Sequence, residues 1–219
     1  MKQFQAAIFD LDGTLLDTIE DLAAAMDWGL EKYGFPALPL AHHKAAVGNG
    51  LKKYAERSIP QEACTPELLD QFVKEVGETY QKNSKVKTAP FPGISELLTF
   101  LKEQGISVHV LSNKRDAFVK DLIIHYFGEG VFGQACGERV GVPKKPDPTG
   151  AIEIAKELCL SPEKILFIGD SVYDVICGKE AGMHTIAVSW GYQSEEQLMA
   201  EKPDFLAKTP YDIMDYLKD

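Results

Sequence analysis

Cysteine is scarce in this 219-residue chain, and the four present (Cys64, Cys136, Cys159 and Cys177) have neither CxxC spacing nor the density of a disulfide scaffold. A reducing compartment follows as the expectation, so the chain is read as cytoplasmic. No apolar run approaches the ~20 residues that span a bilayer, and the first residues carry no basic stretch followed by a signal-like apolar core. Cations are also in deficit: 23 Lys and Arg stand against 33 Asp and Glu, giving a net charge of −10. That balance argues against nucleic acid or an acidic membrane as partner, because phosphate-rich surfaces attract basic ones. The acid forms no long tail, and the absence of low-complexity tracts and fixed-period repeats excludes solenoids and propellers.

What the chain does have is 45% apolar residues, enough for one sizeable core with a smaller appended domain. Short apolar runs at 6–9, 108–112, 165–169 and 185–188 read as buried strands. Segments of helical period at 95–103, 116–126, 149–160 and 172–181 alternate with them, and Gly105, Gly128 and Gly182 follow three of those helices closely. Strands alternating with helices predict an α/β fold, a Rossmann-like parallel sheet covered on both faces. Residues 18–88 break the rhythm. Ile19, Leu22, Ala23, Met26, Leu30 and Tyr33 share one helical face, further helices are expected at 51–58 and 67–81, and no strand is expected between 16 and 90. The economical organisation is a core from residues 1–16 and 89–219 with a helical cap domain, 17–88, inserted after the first strand; the crossings near 15–19 and 87–93 are hinge candidates.

Chemistry is expected beyond the carboxyl ends of the strands. Asp10 and Asp12 follow the first strand, Ser112 and Asn113 the second, Lys144 and Lys145 lie in the loop 141–148, and Asp170 and Asp174 follow the strand at 165–169. Asp170 and Asp174 are four residues apart, so a helix starting between them would turn both carboxylates to one side. Four carboxylates with one usable lysine leave a surplus of negative charge that burial would not tolerate. A hard divalent cation is the expected partner, and oxygen-only ligands favour Mg²⁺ over Zn²⁺. With a lysine, a hydroxyl and free backbone N–H groups in the Gly13-Thr14 turn, such a metal makes a phosphoryl receptor.

DLDGT (10–14), LSN (111–113), KPDP (145–148) and GDSVYD (169–174), in this order, resemble the four motifs of the haloacid dehalogenase superfamily of phosphatases, and within it the phosphoglycolate phosphatase-like branch. The helical insertion is similar to that family's cap. The resemblance implies a Mg²⁺-dependent phosphatase acting on a small phosphate monoester, phosphoglycolate being the best single substrate. It implies Asp10 as nucleophile forming an aspartyl-phosphate, Asp12 as general acid and base, Ser112 as a phosphate ligand and Lys145 as charge partner. Mg²⁺ would be held by Asp10, the carbonyl of Asp12 and Asp170, with Asp174 as a direct or outer partner. Gly13, Thr14, Asn113, Gly48 and Asn49 complete the implied substrate contacts.

An acid at position 12 implies an alkoxide leaving group, since dehalogenase and phosphonate-cleaving relatives lack it. Glu20-Asp21 stands where a sugar-phosphate mutase carries a histidine, which lowers that reading. A mutase, a pyrophosphatase or nucleotide phosphatase, and a silent phosphate-binding module remain the alternatives. A phosphorelay receiver would explain neither Asp12 nor a cap. Taken singly, the residues also have plain readings: an isolated DxD is commonly a capped turn, Ser112-Asn113 a helix cap, and Asp174 a helix-dipole partner. The choice of Lys145 over Lys144 rests on the family's lysine–proline pair. The segment 47–50 (VGNG) reads equally as a cap loop or an ordinary turn, and His42, His43 and Lys44 as solvated surface.

Overall fold

The computed structural model describes residues 4–218. Its larger sheet is six-stranded and parallel, in the order β5-β4-β1-β6-β7-β8. These strands are β1 (Ala6–Phe9), β4 (Ser107–Arg115), β5 (Ala135–Glu138), β6 (Ile165–Gly169), β7 (His184–Val188) and β8 (Phe205–Ala207). Helices α5 (Ile94–Glu103), α6 (Asp116–Phe127), α7 (Thr149–Glu157), α8 (Val172–Glu180), α9 (Glu195–Ala200) and α10 (Pro210–Lys218) complete the core. Strand alternation divides the apolar residues between two faces. Ala7 and Phe9 pack with Leu97, Val119, Leu122 and Ile213 of α5, α6 and α10, whereas Ala6 and Ile8 pack with Ile154 and Cys177 of α7 and α8. Burial on both faces is why these strands read as unbroken apolar runs. β1 lies between β4 and β6, so the sheet order reverses at its carboxyl end and opens a crevice there.

Four helices are inserted between β1 and the return to the sheet: α1 (Ile19–Lys32), α2 (Leu40–Ala46), α3 (Gly50–Ser58) and α4 (Pro66–Asn83). The apolar face of α1 is buried, and Leu22, Met26 and Leu30 form a cluster of their own with Tyr54, Phe72 and Tyr80. The two crossings are joined to each other. β2 (Leu16–Asp17) pairs antiparallel with β3 (Ala89–Pro90), a short ladder at crossings where the sequence predicts no strand. Asp21, buried at the start of α1, accepts hydrogen bonds from the backbone of Val86, Lys87 and Thr88 and from the Thr88 hydroxyl. A carboxylate at a helix N-terminus facing three N–H donors is stable without a cation.

Two expectations need correction. β4 continues to Arg115, three residues past the expected end at 112, so Asn113 and Lys114 are buried strand residues. Their polarity reads as loop in the sequence because the groups that satisfy them are distant along the chain. His43 is fully buried: its Nδ1 lies 2.6 Å from the Tyr54 hydroxyl and its Nε2 3.1 Å from the Leu38 carbonyl, whereas Lys44 is exposed.

Candidate active site

Asp10 ends β1 and is nearly buried. Its Oδ1 accepts the Leu11 N–H at 2.7 Å and lies 3.0 Å from Lys145 Nζ, while Oδ2 accepts no hydrogen bond among the described residues. Lys145 is buried and bridges Asp10 to Asp174, 2.6 Å away; Lys144 turns outward to Glu138. Asn113 holds the lysine in place, accepting the Lys145 N–H and donating to the Lys145 carbonyl. Its second amide hydrogen goes to the Gly48 carbonyl of the helical insertion, which leaves the side chain no donor for a ligand.

The loop after β1 needs glycine at position 13. Its φ is +82°, and a Cβ there would overlap the Asp170 carboxylate. The next residue, Thr14, donates its hydroxyl to Asp170 Oδ1 while the Tyr192 N–H donates to Oδ2, fixing both oxygens. The N–H groups of Gly13 and Thr14, expected to be free, donate to the Leu16 and Leu11 carbonyls. This turn therefore orients a carboxylate and offers no donors of its own. Ser171 and Asp174 cap α8 reciprocally: Asp174 Oδ2 accepts the Ser171 N–H and hydroxyl, and Oδ1 faces Lys145.

Asp12 has a partner that the sequence reading missed. Lys114 Nζ lies 2.9 and 3.0 Å from its two oxygens and 4.5 Å above the Tyr80 ring, and the Thr18 hydroxyl donates to Oδ1. A second lysine thus enters the cluster where one was expected. The surplus of four carboxylates was itself the signal that more than one cation was required, and the polar run after the strand supplies it.

The electrostatics still favour a cation. Burial, followed by the repulsion of Asp174 and Asp12, pushes the Asp10 carboxyl up to about 6 against the pull of Lys145. Burial and the charges of Asp174 and Asp10 raise Asp170 well above the usual range. For Lys145, burial opposes the charge, but Asp10 and Asp174 more than offset it and hold the ammonium protonated. Oxygens of Asp10, Asp170 and Asp174, all buried, lie within 4.8 Å of one another. Two carboxylates held above their ordinary pKa beside a third, with oxygen donors alone, suit a hard divalent ion.

Above Asp10, Asp12 and Ser112 opens a narrow pocket, roofed by the helical insertion. Ser112 is nearly buried there and its Oγ faces the Lys114 N–H at 3.4 Å. Gly48 lines the pocket; Asn49 does not.

The model of the haloacid dehalogenase-like hydrolases matches residues 7–188. The chain is 31% identical over 212 residues to a phosphoglycolate phosphatase of Vibrio cholerae, covering 94% of each, and 30% identical over 207 residues to one of Aquifex aeolicus, covering 94% of this chain and 93% of that one. Among solved structures, a predicted phosphoglycolate phosphatase from Haemophilus somnus superposes with a TM-score of 0.93 at 26% identity over 99% of both chains.

Proposed function

Because the chain belongs to the haloacid dehalogenase-like hydrolases and is a phosphoric monoester hydrolase, we propose that it cleaves a small phosphate monoester through Asp10, with Mg²⁺ as cofactor and phosphoglycolate as the substrate its relatives' names suggest. The observation that carries this reading is the buried triad of Asp10, Asp170 and Asp174 with Lys145 set between Asp10 and Asp174.

Asp10 Oδ1 is occupied by Leu11 and Lys145, so Oδ2 is the oxygen free to attack phosphorus. A P–O bond forms to Oδ2 as the ester P–O bond breaks, and Asp12 gives its proton to the departing alkoxide. Asp12 then removes a proton from water, which attacks phosphorus, releases phosphate and restores Asp10. Lys114 and Thr18 hold the Asp12 carboxylate for both transfers. Ser112 donates its hydroxyl to a phosphoryl oxygen, and Lys145 offsets the charge that Asp10 and the phosphoryl group bring together. Mg²⁺ would be held by Asp10, Asp170 and the Asp12 carbonyl, and when bound it supplies positive charge to the phosphoryl oxygens. Both Asp174 oxygens are already engaged, by Lys145 and Ser171, which favours an outer role in which Asp174 orients the lysine.

Residues 17–88 act as a cap that excludes bulk water during attack and opens for release, with the paired crossings as its hinge. The free cysteines and the absence of any helix long and apolar enough to cross a membrane, among the described residues, support a cytoplasmic setting. Phosphate release from phosphoglycolate tests the reading: it should require Mg²⁺ and stop when EDTA is added. Release unaffected by EDTA would overturn the metal's part, and no release from any small ester would overturn the whole.

A further inference from the structure

The same pocket contains a cation that the proposed chemistry does not use. Arg115, the last residue of β4, lines the pocket together with Asp10 and Asp12 and is half-buried. Among the described residues it makes no hydrogen bond or ion pair, and its guanidinium carbon lies 5.9 Å from the centroid of the Phe118 ring. The nearby carboxylates are already taken, Glu138 by Lys144 and Asp116 by Lys120. Space for the guanidinium is made by Gly77 on α4, where a Cβ would come within 2.6 Å of Arg115 Nη1. A half-buried arginine left without an anion, in a cleft that binds one anion already, is a receptor for a second.

The rest of the wall narrows the ligand further. Leu22, Val47, Leu51, Tyr54, Tyr80 and Phe118 surround Arg115 and Lys114 with aliphatic and aromatic surface. A polyol would bury hydroxyls against carbon there, each one left unpaired at a cost in binding. A short chain ending in a carboxylate meets no such penalty. Resting on the phosphatase reading, we propose that Arg115, seconded by the neighbouring charge of Lys114, binds a carboxylate on the substrate, and that the site thereby selects phosphate esters of small hydroxy acids over neutral alkyl or sugar phosphates. The planar guanidinium suits a carboxylate because it can donate two parallel N–H bonds.

The test compares phosphoglycolate with ethyl phosphate, which keeps the ester and replaces the carboxylate by a methyl group. For Arg115→Met, kcat/KM for phosphoglycolate should fall by roughly tenfold to a hundredfold, mostly through KM, and at least roughly tenfold further than for ethyl phosphate. Arg115→Lys should recover part of the loss. Gly77→Ala displaces the guanidinium without removing its charge, and should show the same preferential loss. Equal losses for both esters, or none, would overturn the subsite. Calorimetric titration of both esters into Asp10→Asn and Asp10→Asn/Arg115→Met separates the two readings: tighter, Arg115-dependent binding of phosphoglycolate without turnover in the wild type would keep the subsite and sink the hydrolase. Binding that ignores both the carboxylate and Arg115 would sink the subsite alone.

Discussion

Lys114 Nζ grips both carboxylate oxygens of Asp12, at 2.9 and 3.0 Å, across 102 residues of sequence. The proposed acid and base, in the loop after β1, is therefore held from the adjacent strand β4, and Thr18 at the entrance to the helical insertion supplies the second hold. Removing the carboxylate should hurt most where the leaving group needs a proton. In Asp12→Asn, kcat/KM for an alkyl phosphate, which reports phosphoryl transfer to Asp10, is expected to drop about 10²- to 10⁴-fold, with a much smaller drop for p-nitrophenyl phosphate. Lys114→Met should show the same leaving-group signature at smaller size, and equal losses for the two esters would contradict the assignment.

Metal binding has a readout apart from turnover. If Asp10 and Asp170 bind Mg²⁺, saturating metal at about 100 times Kd should stabilise the fold by about 2.7 kcal/mol and raise Tm by roughly 5–10 °C. Asp170→Asn should lose most of that rise, measured by differential scanning fluorimetry with and without EDTA. An undiminished shift in the variant would move the metal elsewhere.

The fold was readable in the sequence where burial alone determined it. β1 and β6, packed on both faces, have no polar position to confuse the pattern, and each was expected at its observed bounds. β5 and β8, four and three residues of mixed burial at the two sheet edges, carry too little apolar signal to stand out from loop. In the candidate site, Asp10, Asp12 and Asp170 are legible as charges just beyond strands, and Lys145 through the lysine–proline pair of the resemblance. Lys114 and Arg115 are not, because what identifies them is spatial: the first sits on Asp12 and Tyr80, and the second faces a gap left by Gly77 on a distant helix. Thr14 and Asn113 are expected at the site as substrate contacts, and the structure adds the partners that orient them, Asp170 and Lys145, which lie far along the chain.

The staple between the crossings can be tested by stability. Asp21→Ala strips acceptors from three backbone N–H groups and the Thr88 hydroxyl in a part-buried setting. A loss of about 2–4 kcal/mol in urea unfolding is expected, given the usual cost of orphaned buried donors. A change below about 0.5 kcal/mol, typical of surface substitutions, would mean that the crossings hold without it.

His109, buried on β4 with Nε2 3.0 Å from the Ser107 hydroxyl, has its pKa lowered from 6.5 by burial. The unfolded chain therefore takes up this proton first as pH falls, so the fold loses stability from about pH 6.5 downward until the folded histidine itself titrates. Asp10 and Asp170, raised in the fold, act in the opposite direction but are common to wild type and variant. Between about pH 7 and 5 the wild type should lose more unfolding free energy than His109→Leu, as measured in urea. A difference independent of pH would contradict the burial of an uncharged imidazole.

The central claim is that phosphorus is bonded to Asp10 during turnover. Acid-quenching Asp12→Asn shortly after mixing with Mg²⁺ and p-nitrophenyl phosphate, whose leaving group needs no proton, with borohydride reduction of the acyl phosphate and peptide mass spectrometry, tests it most directly. The account predicts a trapped phosphoryl group and conversion of residue 10 to homoserine, both absent when Asp10→Asn is added. Phosphate release with no covalent adduct at any time point, or an adduct on another residue, would contradict it.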